Sequence, residues 1–112
     1  MPSTVMQLLY NGDRVTAERL ARTVPLDIFD AAALGALEAL IERAEEDASC
    51  VNAYADDGWT PLHLAAYFGN TACVKELVRR GASVGARSQN GMAVTPRESA
   101  LSGGYAVIAA IL

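Results

Sequence analysis

The chain has 112 residues, of which 52% are hydrophobic and 6% aromatic, and a formal net charge of −4. This length suits one compact domain, and a hydrophobic content that rests on Ala, Leu and Val favours packed helices over a β-sandwich. The negative charge argues against sequence-independent binding to nucleic acid, because such binding needs Lys and Arg to displace counterions from phosphates.

The cysteines and the N-terminal sequence bear on the compartment. Cys50 and Cys73 lack both C-x-x-C spacing and the density of a secreted disulfide scaffold, and Cys73 falls in an apolar helical pattern that predicts burial. The start shows no basic and apolar leader pattern, and no apolar run approaches the length of a membrane helix. We therefore expect a cytoplasmic chain with no membrane or nucleic-acid partner.

The first four predicted helices form two pairs. Residues 3–10 and 13–24 are expected to be helical around the turn dipeptide Asn11-Gly12, and the second helix is expected to stop before Pro25. In the next pair, Asp27 can cap the first helix and Gly35 can end it. The apolar face of the following helix is predicted from Leu37, Leu40, Ile41 and Ala44, which recur with helical spacing.

The most informative stretch runs from Thr60 to Gly69 and reads TPLHLAAYFG. Thr60 can cap a helix, Pro61 suits the first helical position, and Gly69 supplies the left-handed residue that ends the helix. The T-P-L-H-x-A pattern followed by glycine resembles the ankyrin repeat, a unit of about 33 residues with a β-turn finger and two helices.

Glycines elsewhere in the chain follow the same period. Gly35, Gly69 and Gly104 recur at intervals of 34 and 35 residues, and the turn glycines Gly58 and Gly91 are 33 apart. The resemblance predicts an all-α ankyrin-repeat helical solenoid with short β-turn fingers, in a single domain over residues 1–112. Its expected parts are an N-terminal helical cap (1–25), a degenerate repeat (26–51), a full repeat (52–84) and an incomplete C-terminal repeat (85–112).

No catalytic, metal or cofactor site is predicted, so the chain is expected not to be an enzyme. His63 is the only histidine, and the resemblance implies that it hydrogen-bonds in the turn region and ties neighbouring repeats together. Catalysis at His63 is the less favoured alternative. Asp56 and Asp57 lack a third ligand nearby, and Gly103-Gly104 lacks the strand and lysine of a phosphate-binding loop.

The resemblance implies a non-catalytic module that binds a partner protein, so far unidentified, through a concave surface of fingers and first helices. The recognition positions of the family fall on Asp56, Asp57, Trp59, Tyr67 and Phe68, and in the next finger on Gln89, Asn90 and Met92. Trp and Tyr frequently dominate interface energies. The alternative is that Trp59 and Phe68 cover neighbouring elements, that Met92 fills its loop and that the aspartates shape the turn.

Self-association is the alternative function. The last residues, 106–112, are all apolar, whereas a solenoid normally ends in a polar outer face. Ile108, Ile111 and Leu112 are therefore expected to form an uncovered face that pairs with another copy, giving a homo-oligomer, unless the chain is a fragment of a longer array.

Charge is uneven along the chain. Residues 25–57 hold nine acidic residues against Arg43 alone, a net charge of −8. A solvated acidic helix end explains part of this run, and steering of a partner is the other interpretation.

Overall fold

The computed structural model describes residues 3–112, and within them every regular element is a helix. The expected all-α fold is thereby confirmed. The helices pair in chain order, so that each odd-numbered helix contacts the helix that follows it. Their bounds are α1 (Thr4–Tyr10), α2 (Arg14–Ala21), α3 (Ile28–Leu34), α4 (Leu37–Glu46), α5 (Pro61–Tyr67), α6 (Thr71–Arg79), α7 (Pro96–Ser102) and α8 (Ala106–Ile111), with a 3₁₀ turn at Ala48–Asn52.

The helix pairs stack so that their first helices form one layer. α5 lies between α3 and α7, α1 packs on the other side of α3, and α4 contacts α6 in the second layer. Small alanine side chains allow the first helices to pack closely against one another. Those of Ala31, Ala65 and Ala66 are completely buried, at 0% exposure. The larger core side chains are Leu40, Leu62 and Leu77.

Two finger turns project between the pairs. In the first finger, the backbone N–H of Ala55 donates to the carbonyl of Trp59 at 2.8 Å; in the second, Ser88 donates to Val94 at 2.8 Å. The second finger is therefore two residues longer. The two fingers are joined by a hydrogen bond of 2.8 Å from the backbone N–H of Gln89 to the carbonyl of Gly58.

Helices α5 and α7 begin in the same way despite different sequences. Each has a threonine N-cap followed by proline, and the threonine hydroxyl accepts a 3.3 Å hydrogen bond from the third helical N–H, that of His63 or Glu98. The carboxylate of Glu98 also accepts from the backbone N–H of Thr95 at 3.1 Å. Glu98 thus replaces histidine as the second half of a capping box.

Glycines allow the loops of consecutive helix pairs to pack closely against one another. Gly35, Gly69 and Gly104 all have positive φ, at 79°, 78° and 87°. Gly69 also lies directly against the ring of Tyr105, where a Cβ atom would overlap it. A Cβ atom on Gly103 would overlap the carbonyl oxygen of Tyr67. The loop after α5 therefore packs against the loop after α7, with glycine on both sides.

Two expectations need correction. Helix α2 ends at Ala21, because the N–H groups of Arg22 and Thr23 bond to carbonyls only three residues back, in a tight final turn. Ile108 is only 2% exposed and belongs to the core, so its expected place on an uncovered face is wrong. It lies on the inner side of α8, which packs on α7, whereas Val107 and Ile111 are 78% and 49% exposed.

Candidate partner-binding surface

His63 is a structural residue at the centre of the surface that carries the fingers. Its side chain is 0% exposed. Nε2 lies 2.7 Å from the carbonyl oxygen of Val94, which can only accept, so Nε2 carries the proton. Nδ1 then accepts from the hydroxyl of Thr60, 2.7 Å away. These bonds join the helix start to the next finger, 31 residues along the chain, as the resemblance implies.

Burial fixes the charge of this ring. It lowers the pKa of His63, and the hydrogen bond to Val94 only partly opposes that effect. The ring is therefore neutral at pH 7, in agreement with its hydrogen bonds. A fully buried, fully hydrogen-bonded imidazole has no open nitrogen to act as a base.

An open cleft of about 270 Å³ lies above His63, between α5, α7 and the fingers. We call it the aromatic cleft; its walls include Tyr10, Trp59, Tyr67, Met92, Val94 and Ser99. Tyr67 and Met92 are 44% and 61% exposed, so neither is required for the core. The indole of Trp59 is half-buried, with its ring centre 5.6 Å from that of His63.

A second cleft, of about 200 Å³, adjoins the first. We call it the acidic cleft; Asp27, Asp30, Asp56 and Asp57 line it, and Tyr10 and Leu64 line both clefts. Asp30 is only 4% exposed, and burial raises the pKa of its carboxyl group. The hydroxyl of Ser3 donates to Asp30, and the side chain of Asp27 accepts from the backbone N–H of Asp30 at 2.8 Å.

Tyr10 connects the N-terminal helix pair to the first finger. Its hydroxyl donates to Oδ2 of Asp57 at 2.7 Å. Burial, followed by this hydrogen bond, raises the pKa of Tyr10, so the donor keeps its proton. The other oxygen of Asp57, Oδ1, is buried and has no hydrogen-bond partner among the described residues. No motif in the sequence singles out Tyr10, because its partner is 47 residues away.

The residues predicted for partner binding divide into three groups. Trp59, Tyr67 and Met92 line the aromatic cleft. Asp56 and Asp57 line the acidic cleft. The remaining three, Phe68, Gln89 and Asn90, line neither of these clefts.

The three residues outside the clefts have neighbours that explain their positions. Phe68 packs edge-on against Tyr67 at 5.1 Å and lies 6.3 Å from the ring of Tyr10. The side chain of Asn90 accepts hydrogen bonds from the hydroxyl of Ser88 and the N–H of Met92, which shapes the second finger. Gln89 is exposed on that finger.

Within residues 3–112, no group of three or more His, Cys, Asp or Glu side chains is arranged to hold a metal ion. Cys73 is 1% exposed, as expected from its apolar pattern, and burial raises the pKa of its thiol to about 11. None of the helices in this part of the chain is long and apolar enough to cross a membrane.

Sequence comparisons identify the central unit. Residues 57–89 match the family model described as ankyrin repeat. SMC5-SMC6 complex localization factor protein 1 from Homo sapiens is 42% identical over 62 residues, which are 55% of this chain and 6% of that protein. Ankyrin repeat and SAM domain-containing protein 3 from Homo sapiens is 37% identical over 73 residues, which are 65% of this chain and 11% of that protein. The chain therefore spans only a small part of these relatives.

Proposed function

We propose that the chain, whose residues 57–89 match the ankyrin repeat, is a non-catalytic module that binds a partner protein through its finger face. The finger face is the surface of fingers and first helices that contains the aromatic and acidic clefts. The observation that carries the proposal is the exposure of Tyr67 and Met92 on the wall of an open cleft. Large apolar side chains grouped around a concavity are typical of sites where partners bind.

The state of His63 supports a binding role over catalysis. Its two ring nitrogens are both used in bonds that hold the repeat together. The free thiols of Cys50 and Cys73 are compatible with a reducing compartment and support a cytoplasmic location.

Affinity capture from the source cell, followed by titration of the captured protein, tests the proposal. Tyr67→Ala and Met92→Ala are each expected to weaken binding by about tenfold or more, because truncating an interface anchor costs about 2 kcal/mol. Melting temperatures should stay near that of the wild type, since both side chains are exposed. Trp59→Ala is less suitable, because Trp59 also packs on His63.

Val15→Ala is the matched control, since Val15 is an apolar residue on α2 with 68% exposure. It should bind like the wild type. If Val15→Ala loses as much affinity as Tyr67→Ala and Met92→Ala, or if both of these cleft variants keep full affinity, the interface lies elsewhere.

Self-association through the C-terminal helix pair is a second candidate function. Leu101, Val107 and Ile111 are 53%, 78% and 49% exposed, so this end of the stack carries apolar surface. A second copy that covers it would bury these side chains. Ile111 and Leu112 remain in this proposed contact, whereas Ile108 does not.

Light scattering across a concentration series measures this association. The apparent mass is expected to rise with concentration for the wild type and to stay at the monomer value for Val107→Asp. Val15→Asp, with the same change on α2, should behave like the wild type. A wild-type chain that remains monomeric at high micromolar concentration would rule out this candidate.

A further inference from the structure

We infer that Arg87 and Ala93 are positioning residues, which hold the side chain of Met92 at the aromatic cleft as a preformed apolar contact for the partner. This inference rests on the proposed function and identifies the residues that fix one contact of the finger face. Three observations carry it: the register of the two fingers, the backbone conformation of Ala93, and the bonds that anchor Arg87.

The hydrogen-bond register of the fingers identifies Met92 and Ala93 as inserted residues. In both fingers the third residue after the first paired residue is a glycine with positive φ, at 87° in the first finger and 82° at Gly91 in the second. Trp59 follows the first of these glycines directly. In the second finger, Met92 and Ala93 come between the glycine and Val94. Val94 therefore takes the register position of Trp59, and Met92 is an additional residue at the cleft.

The backbone of Ala93 adopts an unusual conformation. Its φ is 51°, and among residues 3–112 it is the one residue other than glycine with a positive φ. L residues rarely adopt this left-handed conformation, because their Cβ atom crowds the neighbouring carbonyl oxygen. Residues in such conformations persist where surrounding contacts hold them, and they cluster at functional sites. The side chain of Ala93 is exposed, so packing in the core does not explain its conformation.

Arg87 supplies a contact that holds Ala93 in place. Its Nη1 donates to the carbonyl oxygen of Ala93 at 2.8 Å and lies 3.9 Å from a carboxylate oxygen of Glu98, in the first turn of α7. The backbone carbonyl of Arg87 accepts a 2.9 Å hydrogen bond from the hydroxyl of Tyr54, which precedes the first finger. Arg87 therefore connects the inserted residues both to α7 and to the chain at the first finger.

These contacts fix the backbone on both sides of Met92. Its N–H donates to Oδ1 of Asn90 at 3.3 Å, and the residue after it is bonded to Arg87. The side chain of Met92 is 61% exposed while it lines the aromatic cleft, so it is available to a partner. Methionine is flexible, and ordering a flexible group on binding lowers the affinity. A finger that is already fixed before binding reduces this loss.

NMR relaxation of the ¹⁵N-labelled full chain tests the positioning without a partner. The backbone order parameters of Met92 and Ala93 are expected to be about 0.85 in the wild type and below about 0.6 in Arg87→Gln, which loses the guanidinium contact. Nuclear Overhauser effects from the ε-methyl group of Met92 to the ring protons of Trp59 or Tyr67 should weaken in the same variant.

Arg79→Gln is the matched control for Arg87→Gln. Both arginine side chains are 66% exposed and lie near a glutamate, but the partner of Arg79 is Glu76 on its own helix, α6. The order parameters of Met92 and Ala93 should therefore stay at the wild-type values in Arg79→Gln.

Two substitutions of Ala93 separate positioning from stability. Ala93→Gly removes the Cβ atom that disfavours positive φ, so the melting temperature should stay the same or rise, while the order parameters of the finger fall because glycine allows more conformations. Ala93→Asn should keep the wild-type order parameters, since asparagine tolerates the left-handed conformation. Ala93→Gly should also weaken binding of the captured natural partner about threefold or more, because Met92 must then be ordered on binding.

The outcomes distinguish this inference from the proposed function. If Met92 has an order parameter below about 0.6 in the wild type, or if Arg87→Gln and Ala93→Gly both keep the wild-type values, the inference is wrong. The proposed function still stands in that case, provided that Tyr67→Ala weakens binding of the captured natural partner. If neither Tyr67→Ala nor Met92→Ala weakens that binding, the finger face is not the interface and both proposals fail.

Discussion

Replacing Gly103 with alanine is expected to lower the free energy of unfolding by about 3 kcal/mol, because the new methyl group has no room. It would overlap the backbone carbonyl oxygen of Tyr67 and lie 3.1 Å from the ring of Tyr105. The backbone at Gly103 has an ordinary φ of −79°, so steric overlap alone causes the loss. Because the obstacle is backbone, it cannot rotate away as a side chain could. Urea denaturation measures the effect.

Gly85→Ala is the matched control for this substitution. A Cβ atom on Gly85 meets nothing within 4 Å, and its φ lies outside the left-handed region. The free energy of unfolding should therefore change by no more than about 0.5 kcal/mol. A Gly103 variant as stable as the Gly85 variant would contradict the close packing of the two loops.

The His63→Ala variant is expected to lose about 3 kcal/mol or more of the free energy of unfolding at pH 7.5. The substitution leaves a cavity at a completely buried position and removes the hydrogen-bond partner of the Val94 carbonyl and of the Thr60 hydroxyl. Helix α5 also loses half of its capping box. Urea denaturation of both proteins gives the difference.

The pH dependence of this difference tests the protonation state. The pKa of His63 lies below its ordinary value of 6.5 in the folded chain, so the unfolded chain takes up the proton first as the pH falls. The stabilisation by neutral His63 is complete above pH 6.5 and declines below it, by at most about 1.4 kcal/mol per pH unit. The difference in the free energy of unfolding between the wild type and the His63→Ala variant should therefore become smaller from pH 7.5 to pH 5.5. If this difference stays constant or grows as the pH falls, the imidazole ring of His63 is not held neutral in the folded chain.

Local signals in the sequence account for most of the fold. The Thr-Pro pairs predict the starts of α5 and α7, since a threonine cap and a proline at the first helical position act within one turn. The glycine period predicts where the first helices end. The resemblance assigns Trp59 and Met92 to one concave surface, and both residues line the aromatic cleft.

Contacts between distant parts of the chain could not be predicted in this way. Tyr10 lies in a helix pair without a finger, and its bond to Asp57 exists only once the units are stacked. The amide of Asn70 likewise donates to the carbonyls of Ala32 and Ala33 in the preceding pair. Ile108 lies on the buried side of α8 rather than on the expected uncovered face. Residues 106–112 are apolar throughout, and a uniformly apolar helix gives no indication of which face is buried.

Site-specific photo-crosslinking is the most direct test of the claim that the finger face binds a partner. A photoreactive benzophenone side chain replaces Met92, or Val15 in the control. Each altered chain is irradiated in the source cell, and its crosslinked products are identified by mass spectrometry. We predict a crosslink to a partner protein from position 92 and none from position 15. A crosslink from position 15 alone, or no crosslink from position 92, would contradict the claim.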